Sequence, residues 1–194
     1  MNNPLVSIIC VCKNRKEYIR QCVESVLSQN YENFEFLIQD GASTDGTVEI
    51  IQEYRDDRIK LVSEPDSGPG EAFVRALHRI RGSIWGSCLS DEAMLPHAVR
   101  WAVNSFSARA ETAVIYGDSH IINKTGVVIQ STRTHYWDYV KYLCCELVPP
   151  FSATFFRTDC FRKIGYDRYN DCGEFDIWLA CRAELRLFVR HGNN

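Results

Sequence analysis

Ser83 to Pro96 reads Ser-Ile-Trp-Gly-Ser-Cys-Leu-Ser-Asp-Glu-Ala-Met-Leu-Pro. An apolar run ends at Leu89, and the acidic pair Asp91-Glu92 follows at once. Adjacent carboxylates offer the hard oxygen ligands that Mg²⁺ and Mn²⁺ take while bridging to phosphates. The same pair also suits a solvated loop that simply carries two acids. Three more polar turns stand in the same relation to an apolar run. Asn14-Arg15 follows Leu5 to Cys12, Asp40 follows Phe34 to Ile38, and Glu64-Pro65-Asp66 follows Ile59 to Val62. Acids that converge at one edge are costly unless a cation or a donor-rich ligand sits among them. The chemistry these turns could support together is the holding of a metal and a diphosphate.

The elements between the turns set whether they converge. Leu5 to Cys12 is near-continuously apolar with β-branched residues, the pattern of a strand buried on both faces. Tyr18 to Leu27 places Ile19, Cys22, Val23, Val26 and Leu27 on one side of a helix. Helices are also predicted over Val48 to Tyr54, Glu71 to Ile80 and His97 to Phe106, with Pro96 opening the last. Strands are predicted over Phe34 to Ile38, Ile59 to Val62 and Ile84 to Leu89. Strand and helix thus alternate about four times, which implies a parallel sheet with helices on both faces. All four turns then lie at the carboxyl edge of that sheet, where open α/β folds bind ligands.

The second half is less regular. Ala113 to Tyr116, Val127 to Gln130 and Ala153 to Phe156 read as strands, with a turn at Asn123 to Gly126. His135 to Leu143 reads as helix or loop, Thr158 to Ile164 as a helix closed by Gly165, and Glu174 to Leu185 as a last amphipathic helix. Tyr166 to Cys172 reads as loop.

The 194 residues suit one domain, and 45% hydrophobic with 24% charged residues is ordinary for a globular protein. A net charge of -3 gives no field for polyanions, so nucleic acid is not an expected partner. No run is long enough to span a bilayer, and the first apolar run lacks the basic start and cleavage site of a signal peptide. The nine cysteines are scattered, without a Cys-x-x-Cys pair, and are expected as reduced, buried thiols rather than a zinc site. A cytoplasmic protein is expected, with peripheral attachment to a membrane as the variant of that reading.

Five stretches in order carry a family resemblance. They are Val6 to Arg15, Gln39-Asp40-Gly41-Ala42-Ser43-Thr44-Asp45-Gly46-Thr47, Ser63-Glu64-Pro65-Asp66-Ser67-Gly68, Leu89-Ser90-Asp91-Glu92 with Pro96, and Gly173-Glu174-Phe175-Asp176-Ile177-Trp178-Leu179. Together they resemble the family 2 glycosyltransferases, nucleotide-sugar enzymes of the GT-A fold. The resemblance implies a mixed, mainly parallel sheet flanked by helices in a single domain. It assigns residues 1–96 to nucleotide-sugar binding and 97–194 to the acceptor and catalytic base. It further implies a UDP-sugar donor, a glycan or lipid-linked acceptor, inversion at the anomeric carbon and a role in polysaccharide synthesis.

The residue roles it implies have physical reasons. Asp40 would accept the uracil N–H; as a plain turn residue it would instead bond its own backbone. Asp45, before Gly46, suits capping of the next helix. Asp66, Asn14, Arg15 and Ser90 would contact the nucleotide. Arg75 would reach the diphosphate or else lie on the solvent face of its helix. Asp91, with Glu92, would hold a divalent ion, Mn²⁺ or Mg²⁺, that neutralises the leaving diphosphate. Glu174 would be the general base, with Asp176 as the neighbouring candidate or a helix-start residue. Trp137 and Trp178 would floor a sugar site or sit in the core. Three positions depart from the pattern: Leu89 and Glu92 where aspartate is usual, and Gly173 before the base. Two other classes fit part of this pattern. One is a nucleotidyltransferase, although Lys13-Asn14-Arg15 is no glycine-rich phosphate loop. The other is a nucleotide-sugar-binding protein without catalysis.

Overall fold

β1 (Val6–Cys12) is buried along almost all its length, and a seven-stranded sheet is built outward from it. The computed structural model describes residues 3–133, 138–144, 146, 149–165 and 189–191. On one side β1 pairs in parallel with β2 (Phe34–Asp40), which pairs in parallel with β3 (Ile59–Ser63). On the other side it pairs in parallel with β4 (Ile84–Ser87). β8 (Thr154–Arg157) then lies antiparallel between β4 and β5 (Val114–Tyr116), and β9 (Val189–His191) closes the order 3-2-1-4-8-5-9. The chain moves outward from β1 to β3 and returns to β1's other flank at β4. A crevice therefore opens between the carboxyl ends of β1 and β4, where such a reversal of strand order commonly binds ligands.

Strand alternation divides the core into two layers. Ile8, Cys10 and Cys12 face one layer, where Ile19, Cys22, Val23 and Val26 of α1 (Ile19–Leu27), Ile51 of α2 (Thr47–Gln52) and Val99, Ala102, Val103 and Phe106 of α4 (Ala98–Ala108) pack. Ile9 faces the other, with Phe73, Ala76 and Leu77 of α3 (Pro69–His78), Tyr142 of α5 (Tyr139–Leu143) and Phe161 of α6 (Thr158–Ile164). Trp85 anchors this second layer, stacked on Phe156 at 4.4 Å and edge-on to Phe161 at 4.7 Å. Gly86 of the same strand leaves room for Phe155, whose ring would lie 2.7 Å from an added Cβ.

The opposite, amino edge of the sheet is tied by a buried carboxylate. Glu35 accepts hydrogen bonds from Ser7 Oγ at 2.6 Å, from the Arg81 backbone at 2.9 Å and from its guanidinium at 2.7 and 2.8 Å. Burial pushes its pKa up, but the Ser7 and Arg81 bonds together hold it below the usual 4.5. The sign follows: Glu35 stabilises the fold above the unfolded-state pKa, and that stability is lost as pH falls through the lower folded value. Glu35→Gln should therefore flatten the acid side of a plot of melting temperature against pH, while an unchanged slope would remove Glu35 from that role.

The expected alternation is present with small shifts of boundary. β4 ends at Ser87 rather than Leu89, because the Leu89 N–H turns to donate to Glu92 Oε2 at 2.8 Å. Val127 to Gln130 becomes β7 (Val128–Thr132), and its antiparallel partner β6 (Ser119–Ile122) was not expected from sequence. The pair forms a separate hairpin with a register shift between Ile121 and Ile122, which hides the alternation that would mark a strand. β9, at three residues, was also not expected. The helix expected over Glu174 to Leu185, the loop over Tyr166 to Cys172, and Trp137 lie outside the described residues.

Cys10 and Cys12 share one layer, as strand alternation requires, and the six described cysteines are all free. Cys22 Sγ lies 4.0 Å from Cys10 Sγ and 3.8 Å from Cys88 Sγ. The neighbouring thiol and then burial push Cys10, Cys22 and Cys88 well above the usual thiol pKa, the first neighbour being Cys12, Cys10 and Cys22 respectively. Thiolate is the reactive species, so these three should react with a thiol reagent only as fast as the protein opens. Labelling at the rate of an exposed thiol in the folded protein would contradict this packing.

Candidate active site at the carboxyl edge

The loop after β1 is locked to the turn after β2 through backbone donors. Asn14 N–H donates to Ser43 Oγ at 2.8 Å, Arg15 N–H to Thr47 Oγ1 at 2.8 Å, and Lys16 N–H to Asp45 Oδ2 at 3.0 Å. In return, Thr44 N–H donates to Asn14 Oδ1 at 3.0 Å, with Asn14 in the left-handed region at φ 54°. Asp45 Oδ1 also accepts from Thr47 N–H and Oγ1, at the first turn of α2, as its sequence position suggested. The Thr47 hydroxyl and the Lys16 N–H hold the Asp45 carboxyl below the ordinary range. The Ser-Thr-Asp-Gly-Thr run is therefore a clamp that aims Lys13 and Arg15, and Asn14 acts within that clamp.

Asp40 ties the same region from beneath. It has no exposed surface. Its Oδ2 accepts from Ser43 N–H at 2.9 Å and Ser63 Oγ at 2.6 Å, and its Oδ1 from Ser43 Oγ and from Cys12 Sγ at 3.5 Å. A base N–H could reach this carboxylate only by replacing a serine hydroxyl. Asp66 stands above it, half-buried, accepting Gly68 N–H at 3.0 Å through Oδ1. The Asp66 Oδ2 lies where a Cβ on Gly41 would meet it at 2.5 Å, and Lys13 Cδ would be 3.1 Å from that Cβ. Gly41 is thus the floor on which Asp66 and Lys13 rest. Gly41→Ala should displace both groups and weaken binding of any ligand they hold about tenfold or more, the scale of one charged hydrogen bond, with little loss of stability. Parent affinity in a folded Gly41→Ala protein would detach Asp66 and Lys13 from the ligand.

Arg75 is engaged elsewhere. Its guanidinium meets Glu64 at 2.9 Å, Glu71 at 2.5 Å and the Pro65 carbonyl at 3.0 Å. The Ser67 hydroxyl and N–H, then Arg75, hold Glu71 at about 2, so this pairing persists at any neutral pH. Gln39 extends the network, donating to Glu64 at 3.1 Å and accepting from Arg79 at 2.8 Å. Together these contacts brace the β3–α3 turn that carries Asp66.

One cavity of about 370 Å³ brings the open groups together. Lys13 and Arg15 after β1, Asp66 and Gly68 before α3, and Ser90 and Asp91 after β4 line it. Cys12 and Leu89 are also in its wall, whereas Asn14, Asp40, Arg75 and Glu92 are not. Asp91 is exposed, and it has no hydrogen-bond or ion-pair partner among the described residues. Glu92 instead folds back on Leu89 N–H, so the longer acid shapes the loop that presents Asp91. No three described His, Cys, Asp or Glu side chains are grouped to hold a metal by themselves. A small hard cation needs no such cage, since it is commonly held by one or two carboxylates, waters and ligand phosphates. The free Asp91 carboxylate, with Asp66 in the same cavity, fits that mode. Glu174 and Asp176 lie outside the described residues.

A family model described as "Glycosyl transferase family 2" matches residues 7–173 of this sequence. The chain belongs to glycosyl transferase family 2. Its sheet, flanking layers and crevice are those of the GT-A fold expected from the motifs. The family 2 domain is 34% identical over 130 residues to the chondroitin synthase of Escherichia coli, covering 66% of this chain and 19% of that protein. TarS 1-349 of S. aureus, solved in complex with UDP, superposes with a TM-score of 0.72 at 18% identity, over 97% of this chain and 58% of that 1-349 chain. The mannosyltransferase PcManGT of Pyrobaculum calidifontis, solved with GDP-Man and Mn²⁺, gives 0.70 at 18% identity, over 97% and 55%. At these identities the structural likeness concerns the fold. The chain spans about a fifth of the length of the chondroitin synthase and just over half of the two structural neighbours.

Three groups that the sequence does not single out also line this cavity. Lys13 reads in the sequence as the residue that breaks a strand, yet a cation directly after a buried parallel strand is placed at the ligand-binding edge, and with Arg15 it lines the cavity. Gly68-Pro69, read as turn, forms the start of α3 and presents its amino end to the cavity. Cys12, expected as core, closes the cavity floor while bonding Asp40.

Proposed function

We propose that this domain transfers a sugar from a nucleotide-diphosphate donor, a UDP-sugar, to an acceptor hydroxyl with inversion at the anomeric carbon. The observation that carries the reading is the cavity itself: Asp91, a carboxylate without a partner among the described residues, shares it with two cations, Lys13 and Arg15. A wall that carries both an open carboxylate and cations suits a ligand that brings both a metal and negative charge. The amino end of α3 adds partial positive charge at Gly68-Pro69. That two proteins of the same fold were solved with UDP, and with GDP-Man and Mn²⁺, supports a nucleotide and a divalent ion as the ligands.

Asp91 would hold the divalent ion, and Lys13 and Arg15 would flank the diphosphate. A bound divalent ion supplies charge neutralisation at the leaving diphosphate. Asp66, propped on Gly41, would orient the nucleoside, while Asp40 keeps the turn beneath it in shape. In the displacement, the acceptor oxygen forms a bond to the anomeric carbon as the bond from that carbon to the diphosphate oxygen breaks. The electron pair leaves with UDP, and the acceptor proton passes to a carboxylate, for which Glu174 is the proposed group. Inverting hydrolysis of glycosides follows the same geometry with water as acceptor. Residues 97–194 would carry the acceptor side, a glycan or a lipid-linked hydroxyl. No helix among the described residues is long and apolar enough to cross a membrane, and a cytoplasmic domain working at a membrane surface is part of this proposal.

A panel of UDP-sugars incubated with the protein, Mn²⁺ and candidate glycan or lipid-linked acceptors tests the reading. UDP should appear in step with glycosylated acceptor. Pyrophosphate in place of UDP would reassign the site to nucleotidyl transfer, and donor binding without turnover on any acceptor would leave only a binding role.

A further inference from the structure

The β6–β7 hairpin carries a surface that the transfer reading does not use. Ile121, Ile122, Val127, Val128 and Ile129 are 49%, 39%, 57%, 50% and 65% exposed. A two-stranded ribbon is at best marginally stable in water, and folded proteins rarely leave so many adjacent aliphatics open. The tip is nonetheless well formed. Asn123 Oδ1 accepts from the Thr125 and Val127 N–H groups and the Thr125 hydroxyl, and Gly126 turns the chain at φ 81°. The ribbon is therefore a formed element whose apolar residues lack cover among the described residues.

Charge says what the cover is. Residues 119–133 contain His120, Lys124 and Arg133 and no carboxylate, in a chain of net charge -3. We propose that this hairpin docks the protein on an anionic lipid bilayer, its aliphatic side chains entering the headgroup–acyl boundary while Arg133, and Lys124 in exchange for its exposed pairing with Glu17, meet lipid phosphates. Membrane interfaces take up this combination of apolar area and basic charge. A second copy of the chain is a poorer occupant, since a two-fold contact would set the same cations against themselves.

The hairpin also fixes where the cavity sits. Lys124 at its tip pairs with Glu17 at 3.5 Å, two residues beyond Arg15 of the cavity wall. Docking through the ribbon thus brings the loop after β1 close to the membrane surface. That this would present a lipid-linked acceptor rests on the transfer reading; the docking surface itself does not.

Co-sedimentation of the full chain with vesicles tests it, using phosphatidylglycerol–phosphatidylcholine mixtures and phosphatidylcholine alone. The parent should bind the anionic vesicles, and bind neutral ones far more weakly. The double variant Val127→Asp/Ile129→Asp should lose at least about tenfold in vesicle affinity. Both positions are exposed, so it should melt like the parent and keep the parent's UDP-induced rise in melting temperature. That second readout separates failure of the docking surface from failure of the transfer reading. Equal vesicle binding by parent and variant, or none by the parent, would overturn the proposal. So would a parent that self-associates in sedimentation velocity and a variant that does not, which would give the ribbon to a second copy.

Discussion

On the proposed reading, Asp91→Asn is expected to abolish the Mn²⁺ dependence of UDP binding and to leave uridine binding nearly intact. The substitution keeps shape and removes charge at a side chain that is exposed and has no partner among the described residues, so the fold has nothing to lose. The divalent ion needs an anionic oxygen, and the neighbouring acid does not supply a ready substitute, because Glu92 is turned back to the Leu89 N–H at 2.8 Å. Uridine lacks the diphosphate and so gains nothing from the ion. Transfer should fall further than binding, roughly 10²-fold or more, since charge on the leaving diphosphate grows toward the transition state. Titrations of UDP and of uridine, each with and without Mn²⁺, check this. An Asp91→Asn protein that binds UDP–Mn²⁺ like its parent would mean that the metal is held elsewhere or is not needed.

With Glu174 as the proposed base, Glu174→Gln is expected to leave donor affinity within about twofold while transfer drops roughly 10²-fold or more. An acceptor hydroxyl must lose its proton as it attacks, and glutamine preserves the size of the side chain without its basicity. Donor affinity is the control, because the proposed donor contacts come from the loops after β1, β3 and β4. Asp176 is the competitor, as the sequence already left open. Transfer at the parent rate in Glu174→Gln, with a collapse in Asp176→Asn, would move the role to Asp176.

The parallel half of the fold was legible because its signals are local and repeated. Buried runs such as Val6–Cys12 and stripes such as Ile19, Cys22, Val23 and Val26 each declare one element, and four in a row fix the order of strand and helix. The same regularity placed Asp66, Ser90 and Asp91 at a common edge before any coordinates. What sequence could not give was the direction of each side chain at that edge. Asp40 and Arg75 carry the right charge in the right turn, yet Ser43 and Ser63 occupy the first, and Glu64 and Glu71 the second. One of these partners is distant, Ser63 at 23 residues from Asp40, while Ser43, Glu64 and Glu71 are local; in both cases the backbone path, not the residue types, decides between a ligand contact and a brace. Lys13 was overlooked for the converse reason: the Gly41 floor that supports it comes from another strand. The β6–β7 pairing stayed hidden because a register shift at Ile121–Ile122 breaks the alternation of a strand, and β9 because three residues are too few to show one.

Mn²⁺ offers a direct probe of where the ligand binds, because it broadens the amide resonances of nearby residues in proportion to the inverse sixth power of distance. Spectra of isotope-labelled protein with UDP and a trace of Mn²⁺, against the same sample with Mg²⁺, would locate the ion. The cavity between the ends of β1, β3 and β4 predicts broadening centred on Asp91 and Ser90 and reaching Lys13, Asp66 and Gly68, and only when UDP is present. Broadening centred instead on the depression around Glu17, Tyr18 and Asp45, or on no folded segment at all, would contradict a metal–diphosphate site at this edge of the sheet.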